Sequence, residues 1–252
     1  MEMRFLSQSA CMLFLSSLPI FAHEVTLFPE YQSGTVQLTA HYGDPGSYEE
    51  ITKIKLLSLD QIAPDGSRSS VLASTIASAD RKSLIATSAL PALKNGSVIF
   101  ASHYDNGFFV HAADGHPIAT TLADYPAAHD SAHYFKFSKA ILATGQKHDG
   151  YDRVLGDKLE LVARTDPSAQ DANELVLEVR FANKPLANAE IEIGDAATAN
   201  RIPSRISDAN GIVRIPLDHA GWYRLAVTHR SPSAYPSLFA EDDLTASLVF
   251  ER

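Results

Sequence analysis

The chain has 252 residues and a net charge of −9, from 30 acidic and 21 basic side chains. That balance argues against nucleic acid as a partner and is compatible with cationic ligands. The single cysteine, Cys11, falls near the start, so disulfides and thiolate metal sites are excluded from the rest of the chain.

The first predicted element is a signal peptide over 1–22. Arg4 precedes an apolar run, Met12 to Phe21, and Ala22 offers a small residue at the cut. The run is too short for a membrane span, and no later stretch is long enough. The expectation is an exported protein that is not embedded in a membrane, in a compartment such as a Gram-negative periplasm.

Strand signals follow. "GTVQLTAHYG" (34–43) alternates, with Val36, Leu38, Ala40 and Tyr42 on one face and Gln37, Thr39 and His41 on the other. The segments 47–57 and 71–90 fit a helical turn or a strand equally well. "GSVIFASHYDNG" (96–107) is an apolar run closed by turn residues. "HYFKFSKAIL" (133–142) alternates again, and "KLELVART" (158–165) is a further strand. The polar segment 166–173, marked by Pro167, reads as a linker. Beyond it, "ELVLEVRF" and "AEIEIG" flank a turn at Asn183-Lys184-Pro185. Later turns at Asp208-Ala209-Asn210-Gly211 and His219-Ala220-Gly221 separate further strands. The run "AEDDL" (240–244) reads as a solvated edge, and "LTASLVFER" (244–252) closes the chain. Short strands with Gly, Asn and Pro turns predict an all-β protein of two β-sandwich domains, 23–165 and 174–252, the second transthyretin-like or immunoglobulin-like.

Several segments resemble the exported nickel-uptake accessory proteins, a domain-of-unknown-function family associated with nickel and cobalt transporters. "AHEVTLFPE" is similar to that family's Ala-His start with a proline a few residues on. "VQLTAHYGDPG" resembles its strand ending in a histidine, at His41. "SAHYFKFSKAIL" resembles its His-Tyr-x-Lys strand, at His133 and Tyr134. "GYDRVLGDKLELVARTDP" resembles its segment before the second domain, with Ala163 where the family often has proline. "NKPLANAEIEI" and "SDANGIVRIPLDHAGWYRLAV" resemble its transthyretin-like sandwich. The resemblance implies a binding protein rather than an enzyme. It would capture a divalent transition metal, nickel first, and assist a membrane transporter.

The residues themselves suggest how. A cut after Ala22 would leave His23 with two nitrogens, a free α-amine and a ring. Such groups have reference pKa values of about 7.7–8.0 and 6.5, so both can deprotonate near neutral pH when a cation competes. Nitrogen donors suit nickel, copper, zinc and cobalt, and on intrinsic affinity they favour copper over nickel. His41 and His133 are the expected further ligands, with His103 a fourth candidate, if strand ends converge. Taken singly, each of these histidines has an ordinary alternative as a solvated or hydrogen-bonded side chain. His111 and His116 flank a turn and are expected to be exposed. His148, Asp149, Asp152 and Asp157 read as a polar loop before a strand, with a hard-cation site as the alternative.

Two other functions stay open. A histidine brace at His23 could hold copper for oxidative chemistry, with Tyr42, Phe108, Phe109 and Tyr134 as a substrate face. Alternatively, the second half could be a glycan- or protein-interaction module. No nucleophile elbow, Walker loop or dinucleotide fingerprint is present in the sequence.

Overall fold

The structure is a computed structural model that describes residues 23–90, 96–196, 198 and 200–252. The predicted signal peptide, with Cys11, lies outside the described residues. The first half forms β1 (Val25–Gln32), β2 (Thr35–Tyr42), β3 (Leu56–Ile62), β4 (Arg68–Ser70), β5 (Ile76–Ala77), β6 (Leu84–Ala89), β7 (Gly96–His111), β8 (Pro117–Ile118), β9 (Asp130–Thr144) and β10 (Leu159–Ala163). The second half forms β11 (Glu174–Phe181), β12 (Lys184–Pro185), β13 (Glu190–Asp195), β14 (Arg201–Ile206), β15 (Ile212–Pro216), β16 (Trp222–Pro232) and β17 (Glu241–Glu251). The protein is all-β, as predicted. Among the described residues, no helix is long and apolar enough to cross a membrane.

Three sheets stack in layers. A four-stranded sheet runs β1-β2-β6-β5. A nine-stranded central sheet runs β14-β13-β16-β17-β9-β7-β3-β4, with β8 added to β7. A third sheet joins β10, β11 and β12, with β15 on the other edge of β11. The central sheet crosses the two halves of the sequence because β17 pairs in parallel with β9, from Glu241 opposite Ala132 to Phe250 opposite Ile141. The predicted linker, 166–173, connects β10 to β11, which pair antiparallel in one sheet.

The central strands are buried on both faces, which is why their sequences read as continuous apolar runs. In β7, Val98 and Phe100 face the first sheet, in a core with Val25, Leu27, Leu38 and Leu84. Ile99 and Ala101 face the third sheet, in a core with Leu161, Leu177, Ile215 and Phe250. The alternation of side chains along a strand sends neighbouring residues into different cores.

The β1–β2 hairpin turns on Ser33 and Gly34, with φ of 48° and 89°. Two positive values in a two-residue loop match the right-handed twist of the flanking strands, and glycine accepts such a φ without a Cβ clash. The two ambiguous segments resolve into short 3-10 turns, Lys53–Lys55 and Leu72–Ser74, each leading into strand. Trp222, at the start of β16, packs partly buried against the first core.

One expectation is overturned. The "AEDDL" run is no solvated edge: it enters β17, an inner strand, and Asp243 is 2 % exposed. Its charge is balanced by Arg230, whose Nε donates to Asp243 Oδ2 at 2.8 Å. A local count of charges cannot reveal a cation supplied by the neighbouring strand.

Candidate functional site

Two depressions bear predicted histidines, and they lie on opposite faces of the central sheet. The first is a cleft of about 440 Å³ whose lining includes His23, Tyr42, Glu49, Glu50, Lys55, Asn106, His111, Tyr134 and Lys136. The second is a pocket of about 280 Å³ whose lining includes His103, His133, Phe135, Phe137 and Lys158. β9 supplies both. Tyr134 and Lys136 point into the cleft, and His133, Phe135 and Phe137 point the other way, as alternation along a strand requires.

His23 precedes β1, which is tied down by its next residue. Glu24 is 2 % exposed and makes an ion pair with Arg224 of β16, itself 4 % exposed. That buried pair holds the start of β1 against the central sheet. The His23 ring places Nδ1 2.7 Å from Glu49 Oε1 and meets the Tyr42 ring edge-on at 5.9 Å. Glu50 makes an ion pair with Arg81.

A β-bulge shapes the floor of the cleft. The β7–β9 register shifts between Asp105, opposite Phe135, and Gly107, opposite Tyr134. The extra residue, Asn106, turns into the cleft, where its Nδ2 donates to the Tyr42 hydroxyl at 3.1 Å. Lys55 Nζ donates to both Asn106 O and Asn106 Oδ1 at 2.9 Å. Such bulges re-aim a side chain while bending the strand locally. Burial raises the Tyr42 phenol far above its ordinary pKa, with Glu49 adding to the effect, so it stays neutral and can donate as well as accept.

Lys136 is the most unusual group in the cleft. It is 2 % exposed, and its Nζ donates to Thr245 Oγ1 at 2.9 Å. Burial pushes its pKa down to about 8, opposed by Asp243 and reinforced by Arg230. The amine still carries its proton at pH 7.

The predicted ligands do not gather at one point. His41 sits on the outward face of β2, stacked on Tyr48 at 4.1 Å, with Nδ1 3.1 Å from the Lys82 carbonyl oxygen. Burial lowers its pKa, opposed by that hydrogen bond and by Asp80. His103 Nε2 lies 2.7 Å from Asp157 Oδ1, and His133 Nε2 lies 2.8 Å from Asp105 Oδ1. His133 is stacked on Phe108 at 4.5 Å. These three histidines have hydrogen-bond partners away from His23. The polar loop 148–157 contributes Asp157 to His103, and its His148 Nδ1 pairs with Asp166 Oδ2 at 2.8 Å. Among the described residues, no group of three or more His, Cys, Asp or Glu is arranged to hold a metal ion.

Several cleft residues were not candidates from the sequence. His111, expected to be exposed, lines the cleft with His23. Glu49 and Lys55 come from a segment with no clear period. Lys136 stands two residues after Tyr134 in the quoted "HYFK" strand, and strict alternation from Tyr134 would have placed it on that residue's face.

The molecule is thus a layered all-β protein with a polar, mixed-charge cleft at the start of its first strand. The chain belongs to the family described as "Domain of unknown function (DUF4198)", which matches it over residues 20–231. No curated protein matches it. Among solved structures, it is similar to a tetra-tandem repeat in the extending region of a large adhesion protein, at 13 % identity and a TM-score of 0.24. That match covers 91 % of this chain and 50 % of the other. It is also similar to dimeric latent PorU from Porphyromonas gingivalis, at 15 % identity and a TM-score of 0.23, covering 91 % of this chain and 20 % of that one. The chain therefore spans half or less of the length of either structure.

Proposed function

We propose that this is an exported, periplasmic binding protein, not an enzyme, that captures a divalent transition metal, nickel first, and assists its uptake by a membrane transporter. The observation that carries this reading is His23 beside Glu49 in the cleft, with Nδ1 and Oε1 2.7 Å apart. Cleavage after Ala22 would add the α-amine to the same residue. Amine, imidazole and carboxylate would then be three donors at one place, with water completing the shell. Such an open site can release its cargo. Copper, cobalt and zinc also accept these donors. The resemblance to nickel-uptake accessory proteins supports the transporter link.

The placement of the histidines modifies the ligand set. His41, His103 and His133 are engaged elsewhere, so capture depends on His23 and Glu49. Calorimetric titration of nickel into the chain beginning at His23 tests this. Binding should be one-to-one, and it should weaken at least tenfold when one alanine is added ahead of His23. Glu49→Gln should also weaken it, whereas His41→Ala and His133→Ala should not. Equal binding by the extended and mature forms would reject the N-terminal chelate.

His111 in the same cleft favours a second reading, a copper brace of His23 and His111 beside Tyr42, Phe109 and Tyr134. That reading requires reductant-dependent oxygen consumption by the copper-loaded protein. Its absence would leave binding alone.

A further inference from the structure

The cleft has room for more than a metal ion and its waters. A single water occupies about 30 Å³ of liquid, and pockets for small molecules run from about 300 to 1,000 Å³. At about 440 Å³, this cleft belongs to the second group.

Its charges are also unevenly matched. Glu49 already faces His23, and Glu50 already faces Arg81. The two lysines of the cleft have only neutral partners. Lys55 bonds to the carbonyl and side-chain oxygens of Asn106, and Lys136 bonds to the Thr245 hydroxyl. Neither makes an ion pair among the described residues. Behind Lys136, Asp243 Oδ2 accepts from Arg230 Nε at 2.8 Å and its buried Oδ1 has no hydrogen-bond partner among the described residues, but Asp243 makes no ion pair with Lys136. An ammonium has three donors, and Lys136 uses one of them on Thr245. Burying a cation without a counter-charge is costly, and a bound anion would supply that charge. Phe109, Pro117 and the Tyr134 ring line the same space and offer apolar surface to a carbon skeleton, which a mineral anion lacks.

We infer that the cleft seats a small organic carboxylate on Lys136 and Lys55, beside the His23–Glu49 pair. Resting on the capture reading above, the cargo is then a metal ion already held by such a carboxylate. The lysines bind the chelator's free oxygens, and His23 and Glu49 complete the metal's shell. The recognition is charge-assisted hydrogen bonding, with no covalent step.

Citrate serves as the probe, by calorimetry on the chain beginning at His23. Four titrations are compared: citrate alone, inorganic phosphate alone, nickel chloride alone, and nickel premixed with equimolar citrate. Each is repeated on Lys136→Met and Lys55→Met, with circular dichroism to confirm folding. Citrate should bind the native chain, and each substitution should weaken it at least tenfold. Nickel chloride binding should change less than twofold. Premixed nickel–citrate should bind more tightly than citrate alone, and this gain should be lost when alanine is added ahead of His23. No citrate binding, binding unchanged in both lysine variants, or phosphate binding as tightly as citrate overturns the carboxylate site. Lysine-dependent citrate binding with no nickel binding in any form would uphold the carboxylate site and reject metal capture. Should Lys136→Met fail to fold, Lys55→Met decides the outcome.

Discussion

Glu160→Ala should cost on the order of 3–5 kcal/mol of folding stability, the usual penalty for stranding one partner of a buried ion pair. Lys139 of β9 and Glu160 of β10 are 4 % and 2 % exposed, with Nζ 2.7 Å from Oε1. The carboxylate is a hub. Its Oε1 also accepts from the Leu155 N–H at 2.7 Å, and its Oε2 accepts from the Gly156 N–H at 3.1 Å. Lys139 gives a further bond to the Leu161 carbonyl at 3.0 Å. Removing Glu160 leaves a buried ammonium and two backbone donors without their acceptor. The double substitution Lys139→Met/Glu160→Leu removes the charge problem but not the two orphaned N–H groups. It should therefore recover more than half of the loss, since these two N–H groups are only part-buried and each costs at the low end of the about 1–3 kcal/mol of an unmade buried bond. Urea unfolding of both single variants and the double variant measures this. A Glu160→Ala loss below about 1 kcal/mol would mean that the third sheet is not pinned through this pair.

Lys136→Met should have the opposite sign and raise stability at pH 7. The folded pKa of about 8, against the ordinary 10.5, means that the charged form is disfavoured in the fold. That displacement corresponds to on the order of 3 kcal/mol, less about 1 kcal/mol for the lost Thr245 hydrogen bond. A net gain of about 2 kcal/mol is expected. Its pH dependence follows from linkage. Between about pH 8 and pH 10.5 the unfolded chain binds more protons at this lysine than the folded one, so native stability rises with pH there. Methionine removes that rise. The advantage of the variant should be complete below about pH 8 and fade as pH approaches 10.5. Chemical denaturation at pH 7 and pH 10 gives the comparison. A constant difference between the two would show that packing, not charge, decides it. Stability gained at the expense of citrate binding is the pattern expected where a buried charge is kept for function.

Much of this protein was determined by local patterning. The alternation in "TVQLTAHY" places Val36, Leu38 and Ala40 in a core and His41 outside it, because a strand's side-chain period is a property of the backbone itself. The Ser33-Gly34 turn and the all-β class are equally local. Other features belong to the tertiary structure alone. The parallel pairing of β17 with β9 joins residues more than a hundred positions apart, and no periodicity encodes which strands become neighbours. That pairing makes one central sheet from both halves of the chain and buries Asp243 against Arg230. Alternation also sends His133 and Tyr134 to opposite faces, but which face His23 would share was set by how β1 and β2 stack on the central sheet. The bulge at Asn106 and the burial of Lys136 are likewise invisible in a linear pattern. A histidine's type and spacing show that it can bind metal. Only the packing of distant strands decides which donors share a cleft with His23 and which are committed elsewhere.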